Sequence, residues 1–301
     1  MFIADAHCDT LYALTVGKKS PQELQVTAQA LEAGQVGLQT YALFCGGEKD
    51  PGTPFSRAQA MLEAVPQLGV PLLRGKLPQE KPQNPHGVLS IEGAEVLEGS
   101  LDRLEYFAAQ GVKMIALTWN YENQVGYPAL SGSRRGLKPF GRELVARMGQ
   151  LGLICDVSHL NDQGIEDVLA LSALPAAASH SNLREITNVP RNLPRALAQE
   201  IIRGGGYIGL NFYSAFLAQG RPATLSDLLA HLDGLLELGG EKAVGFGSDF
   251  DGIDAWPQGL EGPACLPALA DLIARQGYAG EVVAGVAGEN LWRLYRRAQG
   301  D

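Results

Sequence analysis

Residues 153–181 read LICDVSHLNDQGIEDVLALSALPAAASHS. An apolar run, Leu153–Val157, leads into a stretch with apolar residues at three- and four-residue spacing, Gly164–Leu171. A second apolar run, Ala176–Ser179, follows. The two short continuous runs have the form of buried strands, and the segment between them has the period of a helix. Strand, helix, strand in this order requires a crossover and therefore parallel pairing. Each run is followed by a histidine, His159 after the first and His180 after the second.

The same alternation extends in both directions. The runs Phe2–Ala6, Leu38–Phe44, Val88–Ile91 and Met114–Thr118 come before this unit, and Tyr207–Leu210 and Ala243–Gly247 come after it, which makes eight. Helical patterns at Arg57–Leu68, Leu101–Gln110, Gly141–Leu151, Pro194–Arg203 and Leu225–Leu238 separate most of them. Two more, around Leu266–Gln276 and Glu281–Arg297, follow the last run. Eight such units predict an α/β fold, a closed (β/α)8 TIM-like barrel with a C-terminal helical extension. An open doubly wound sheet is the alternative, because a sequence alone does not establish closure. No composition shift, charge block or Ser/Pro linker divides the 301 residues, so 1–301 is read as a single barrel domain. Leu77–His86 is Pro-rich and reads as a loop. Asn120–Lys138 is a long segment without periodicity, a form often tied to function.

Composition narrows the function classes. A hydrophobic fraction of 46% with 19% charged residues fits a folded soluble chain and excludes disorder. With 24 basic and 33 acidic residues the net charge is -9, which argues against a nucleic-acid or anionic-membrane surface. The N-terminus, MFIADAHCDT, has neither a basic n-region nor a long apolar h-region, and no apolar stretch reaches transmembrane length. A cytoplasmic protein is expected. Cys8, Cys45, Cys155 and Cys265 form no CxxC pair and are expected to be unpaired buried thiols.

In a barrel of this kind, residues at the C-terminal strand ends carry the chemistry. Three of the five histidines stand there, His7, His159 and His180, while His86 and His231 lie in a loop and a helical pattern and are read as non-catalytic. His7 and Asp9 are two apart on an extended segment, so both side chains share one face, a chelating arrangement for a divalent metal. An isolated HxD often occurs without a metal. His159 and His180 end successive strands about 4.8 Å apart and can converge on one ion. Glu92 ends the third run, where a carboxylate can bridge two cations, although a surface charge or helix-cap neighbour is the plainer alternative. Asp249 ends the eighth run and is placed to act as general acid/base beside a metal-activated water. Asp251 is its rival, read as a turn residue before Gly252. No calcium loop, nucleotide fingerprint or GxSxG elbow is found, and Gly204–Gly206 reads as a tight turn.

The ordered set DAHCDT, SIEGAE, ALTWNYEN, DVSH, SHSN, NVPRNL, GLNFY, VGFGSDFDG and GENLWRLYRRA resembles the membrane dipeptidase (renal dipeptidase) family of zinc peptidases along nearly the whole chain. The resemblance implies a (β/α)8 barrel with two zinc ions. It implies that His7 and Asp9 bind the first, that Glu92 bridges, that His159 and His180 complete the second site, and that Asp249 is the general acid/base. It also implies free dipeptides as substrates, attacked by a metal-bridging hydroxide, and a homodimer. By the same resemblance Arg191 clamps the substrate carboxylate, a role that suits a guanidinium. Without it a surface salt bridge is the plainer reading of Arg191. Tyr213 is a weaker carry-over, as pocket wall or substrate contact. One position departs from the pattern. Where family members carry a substrate-contacting histidine after Leu-Thr, this chain has Trp119 and then Asn120. Indole donates one hydrogen bond and accepts none, so either Asn120 or another group supplies polarisation or turnover relies more on zinc, and Trp119 is alternatively a pocket wall.

Two other readings stand beside this one. A metal-dependent amidohydrolase acting on N-acyl amino acids or lactams would use the same barrel and HxD, but its bridging lysine has no match at a strand end. A non-catalytic metal-binding barrel rests only on Trp119.

Overall fold

Nine consecutive buried residues, Val36–Phe44, form the longest strand of a closed parallel barrel. In this computed structural model residues 1–44, 46, 47 and 49–300 are described. The eight strands run in chain order around the barrel. They are β1 (Ile3–Asp5), β2 (Val36–Phe44), β3 (His86–Glu92), β4 (Val112–Ala116), β5 (Ile154–Asp156), β6 (Ala177–Ala178), β7 (Tyr207–Leu210) and β8 (Val244–Phe246). Closure is made by the pairing of Asp5 on β1 with Phe246 on β8. The open-sheet alternative is thereby excluded.

The helices are α1 (Thr10–Thr15), α2 (Ala28–Ala33), α3 (Pro54–Ala64), α4 (Leu101–Ala109), α5 (Pro139–Leu151), α6 (Asp162–Leu171), α7 (Arg195–Arg203), α8 (Ser214–Leu217), α9 (Leu225–Glu237), α10 (Leu266–Arg275), α11 (Gly280–Ala284) and α12 (Asn290–Ala298). Their starts follow local chemistry. Thr27, Asn161 and Thr224 accept the first free backbone N–H groups of α2, α6 and α9 through their side chains. Pro139 at the first turn of α5 costs no hydrogen bond there.

Four sequence expectations need correction. His86 is not in a loop: it opens β3 and pairs with Leu38. The pattern Arg57–Leu68 divides into α3 and a 3-10 turn, Val65–Leu68, because Pro66 lacks the N–H that would continue the helix. The pattern Glu281–Arg297 divides into α11 and α12 around a π-helical turn, Gly285–Glu289. A Cβ on Gly288 would stand 2.7 Å from the backbone nitrogen of Ala4, so the kink lets this segment press against β1. The thiols are also less uniform than expected: Cys8 and Cys155 are buried, Cys265 is half-buried, and Cys45 lies outside the described residues.

The core has two parts. The larger lies between the strands and the helical ring, and includes Leu43, Ile91, Ile115, Phe107 and Leu232. The smaller fills the barrel's lower interior with Leu38, Val88, Met114, Ile154 and Tyr207, against Leu291, Leu294 and Tyr295 of α12. The Tyr295 hydroxyl lies 2.9 Å from Thr40 Oγ1 on β2. Helix α12 therefore plugs the N-terminal end, and the other end is left for chemistry. Among the described residues no helix is long and apolar enough to cross a membrane.

Candidate active site

The barrel brings His7, Asp9, Glu92, His159, His180 and Asp249 together at the C-terminal ends of its strands. His7, Glu92 and His180 present ligand atoms within 4.8 Å of one another, and so do His7, Asp9 and Asp249. Glu92 divides its two oxygens between His7 on one side and His159 with His180 on the other. Oε2 is 3.5 Å from His7 Nε2, whereas Oε1 is 2.9 Å from His159 Nε2 and 3.5 Å from His180 Nε2. Asp9 Oδ2 lies 3.6 Å and Asp249 Oδ1 3.9 Å from His7 Nε2.

Neighbouring polar groups fix the histidine tautomers. His180 Nδ1 donates to Ser179 Oγ at 2.7 Å, and that hydroxyl donates in turn to Asp156. His159 Nδ1 donates to Asn120 Oδ1 at 2.8 Å. Both rings thus keep the Nε2 lone pair free and aim it inward, and these atoms stand 2.9 Å apart. Outer hydrogen bonds of this kind orient metal-ligating imidazoles. His159 and Asp249 also adopt left-handed backbone, φ 68 and φ 67. Such conformations cost of order 1–3 kcal/mol each for residues with a side chain, and they cluster at functional sites.

The electrostatics follow from burial and crowding. Burial alone would lower the His7 pKa, but the Glu92 and Asp9 carboxylates outweigh it and raise it well above the usual imidazole value. Burial, followed by the charge of Glu92, pushes Asp9 up to about 8. Burial also raises Asp249, with His7 opposing. His159 is pushed down to about 4 by burial and then by Arg191. His7 Nε2 and Asp9 Oδ1 are buried and find no hydrogen-bond partner among the described residues. Three carboxylates and three imidazoles packed this closely, two of their atoms unsatisfied, fit divalent cations in the centre, since buried charges persist when paired or coordinated.

Above this cluster lies a cavity of about 380 Å³, lined by Asp9, Glu92, His159 and Asp249, and also by Arg191, Trp119, Asn120 and Tyr213. All the sequence-predicted residues except His7 and His180 therefore line one chamber, and those two lie directly beneath it. A larger open groove of about 600 Å³ near Arg134, Asp162 and Arg184 contains none of them. Arg191 is buried, and its Nε and Nη2 atoms have no partner among the described residues. Asn120 spends its carbonyl oxygen on His159 and so acts on the histidine.

Several members of the site escaped the sequence reading. Asn211 Nδ2 donates to Asp249 Oδ2 at 2.9 Å and so fixes that carboxylate. Asp5 accepts from the Ser248 backbone and hydroxyl and locks β8 to β1. Tyr12, Phe44, Phe216 and Ile253 line the cavity. Gly252 packs against the carboxylates, where a Cβ would meet Asp9 Oδ2 at 2.0 Å. Asp251 is more than a turn residue, because its buried carboxylate accepts from the Thr10 hydroxyl and from the Gln25 and Val26 backbones.

A closed (β/α)8 barrel with paired carboxylates and imidazoles at its strand ends defines a metal-site barrel of the hydrolase type. The model of the membrane dipeptidase family, peptidase family M19, matches residues 1–300, and the chain belongs to that family. It is 32% identical over 216 residues to an uncharacterized dipeptidase of Schizosaccharomyces pombe, covering 70% of this chain and 53% of the yeast protein. The chain thus spans about half the length of that relative. Among solved structures it is similar to dipeptidase AC, a metallo peptidase of family M19, with TM-score 0.90 and 27% identity over 100% of this chain and 99% of the other. It is also similar to a metallo peptidase from Rhodobacter sphaeroides liganded with a phosphinate mimic of the dipeptide L-Ala-D-Ala, with TM-score 0.89 and 25% identity over 99% of each chain.

Proposed function

We propose that this protein is a metal-dependent dipeptidase that hydrolyses the peptide bond of small free dipeptides. Its two divalent cations, zinc in the first instance, would be held by His7 and Asp9 on one side and His159 and His180 on the other, with Glu92 between. The observation that carries the reading is the division of Glu92: one oxygen faces His7 and the other faces His159 and His180, under a cavity that also holds an unpartnered buried guanidinium. Metals bound there supply Lewis-acid polarisation of the peptide carbonyl and lower the pKa of water.

The chain's own residues do the rest. Arg191 pairs with the substrate's terminal carboxylate and sets which bond lies over the cluster. Asp249 is held at Oδ2 by Asn211, so Oδ1 is free to take the proton of the attacking water and deliver it to the departing amine nitrogen. The cavity walls limit the substrate to a small molecule.

The test is hydrolysis by zinc-reconstituted and chelator-treated protein of a panel of L-X–L-Y and L-X–D-Y dipeptides beside N-acyl amino acids. Zinc-dependent cleavage confined to dipeptides supports the reading. Cleavage of N-acyl amino acids alone replaces it with the amidohydrolase reading, and two bound metals without any hydrolysis replaces it with a binding role.

A further inference from the structure

The cavity carries a series of aromatic rings on one part of its wall and a guanidinium set over the Tyr213–Phe216 ring pair on another. Tyr12, Phe44 and Trp119 line the first part, and Tyr121 continues it outward. Their rings form an unbroken series: Tyr12 to Phe44 at 4.7 Å between centroids, Phe44 to Trp119 at 4.8 Å, Trp119 to Tyr121 at 5.1 Å. Tyr12 lies in α1, which follows β1, Phe44 ends β2, and Trp119 and Tyr121 follow β4. Arg191, Tyr213 and Ile253 lie in the segments that follow β6, β7 and β8. In a closed eight-strand barrel running in order, β2 stands opposite β6 and β4 opposite β8. The aromatic series and the guanidinium therefore belong to segments that follow different strands around the rim of one cavity.

Two of the polar atoms on the aromatic side are already committed. The Tyr12 hydroxyl donates to Asp50 Oδ2 at 3.2 Å, and Asn120 Oδ1 accepts from His159. What this side offers a ligand is mainly ring surface, with N–H donors on Trp119 and Asn120. A dipeptide anchored by its carboxylate at Arg191, with its peptide bond over the cluster, extends its N-terminal residue away from Arg191, and the aromatic series is wall of the same cavity. We propose that Tyr12, Phe44 and Trp119 form a specificity wall for the N-terminal side chain, selecting dipeptides that begin with an aromatic or large apolar residue. This rests on the dipeptidase reading above. Trp119 then has a positive role: where a polar side chain would hold water, indole supplies flat apolar area and ring–ring contact.

The experiment compares kcat/KM for Phe-Ala, Leu-Ala and Gly-Ala, and for Gly-Phe as the control with the ring at the other end. Burial of a large apolar side chain predicts at least a tenfold advantage of Phe-Ala over Gly-Ala. That ratio collapses toward one in Trp119→Ala and is kept in Trp119→Phe, while the Gly-Phe to Gly-Ala ratio does not follow it. A wild-type ratio near one, or a ratio that Trp119→Ala and Phe44→Ala both leave intact, overturns the inference while leaving the dipeptidase reading standing. If no dipeptide is cleaved, that reading fails, and the wall is read from N-phenylacetyl-alanine against N-acetyl-alanine by hydrolysis and by calorimetric binding. Preference for the phenylacetyl compound supports the wall, and equal or absent binding overturns it.

Discussion

His159 and His180 face each other through Nε2 atoms 2.9 Å apart, each with its Nδ1 proton already given to another residue. Two inward lone pairs at that distance repel each other unless a cation or proton lies between them, and Glu92 Oε1 completes the same focus. Removing metal should therefore destabilise the fold as well as abolish turnover. Ligand binding to the native state alone contributes about 4 kcal/mol at a thousandfold excess over Kd. Scanning calorimetry of chelated protein should show a Tm lower by several degrees, restored by zinc. An unchanged Tm would mean that the cluster is satisfied without metal.

Asn120 is expected to act through His159. Asn120→Ala removes the acceptor for Nδ1–H and frees the ring to rotate or change tautomer. Loss of such an outer partner weakens metal binding by about 10–100-fold. Asn120→Asp keeps the acceptor and should retain affinity. Competition with a chromophoric chelator measures both, and equal metal affinity in Asn120→Ala would refute the positioning role.

Asp249→Asn should keep its metals, because its one amide oxygen can take the Oδ2 place and accept from Asn211, and His7, Asp9, Glu92, His159 and His180 are untouched. It loses the atom that carries the proton. Turnover should fall by about 10²–10⁴-fold, the range of general acid/base catalysis, at unchanged metal content. Full activity in this variant would remove Asp249 from the mechanism.

Strand ends were the legible part of this site. His7, Asp9, Glu92, His159, His180 and Asp249 each end an apolar run, so one rule about barrels placed all six on one rim. The supports were harder to read. Ser179 and Asp156 hold His180 from the same two strands that carry the histidines, but their pairing depends on side-chain direction across β5 and β6. Tyr12 sits in α1, six residues long and too short for a helical period to emerge, and Phe44 meets Trp119 only because β2 and β4 curve around the same opening. The break between α11 and α12 had a visible cue in Gly285 and Gly288, yet its cause is the approach of Ala4.

His231 supplies a pH effect remote from the metal cluster. It is fully buried in α9, where Nδ1 accepts from the Leu183 backbone N–H at 3.1 Å, which requires a neutral ring. Burial pushes its pKa down to about 4, from an ordinary 6.5. Between these values the unfolded chain binds a proton that the folded chain excludes. Stability is complete above about pH 6.5 and falls as pH drops toward 4, by about 3 kcal/mol in total. His231→Asn, which keeps an acceptor near the Nδ1 position, should flatten that acid limb in urea unfolding followed across pH. An identical limb in the variant would place the titration elsewhere.

The central claim joins the metal cluster to Arg191 in one substrate-reading site, and the most direct measurement compares a dipeptide with its C-terminal amide on zinc-reconstituted protein. Arg191 stands buried in the cavity with Nε and Nη2 unpartnered, its pKa drawn down to about 10 by burial against the opposing pull of Asp249. Truncating one side of a buried charge pair costs several kcal/mol, so amidation should lower kcat/KM by at least 100-fold. In Arg191→Met the free dipeptide should fall to a similar level and the difference between the two substrates should nearly vanish. Equal hydrolysis of dipeptide and amide by the wild-type protein, or no hydrolysis of either with both metals bound, would contradict the account.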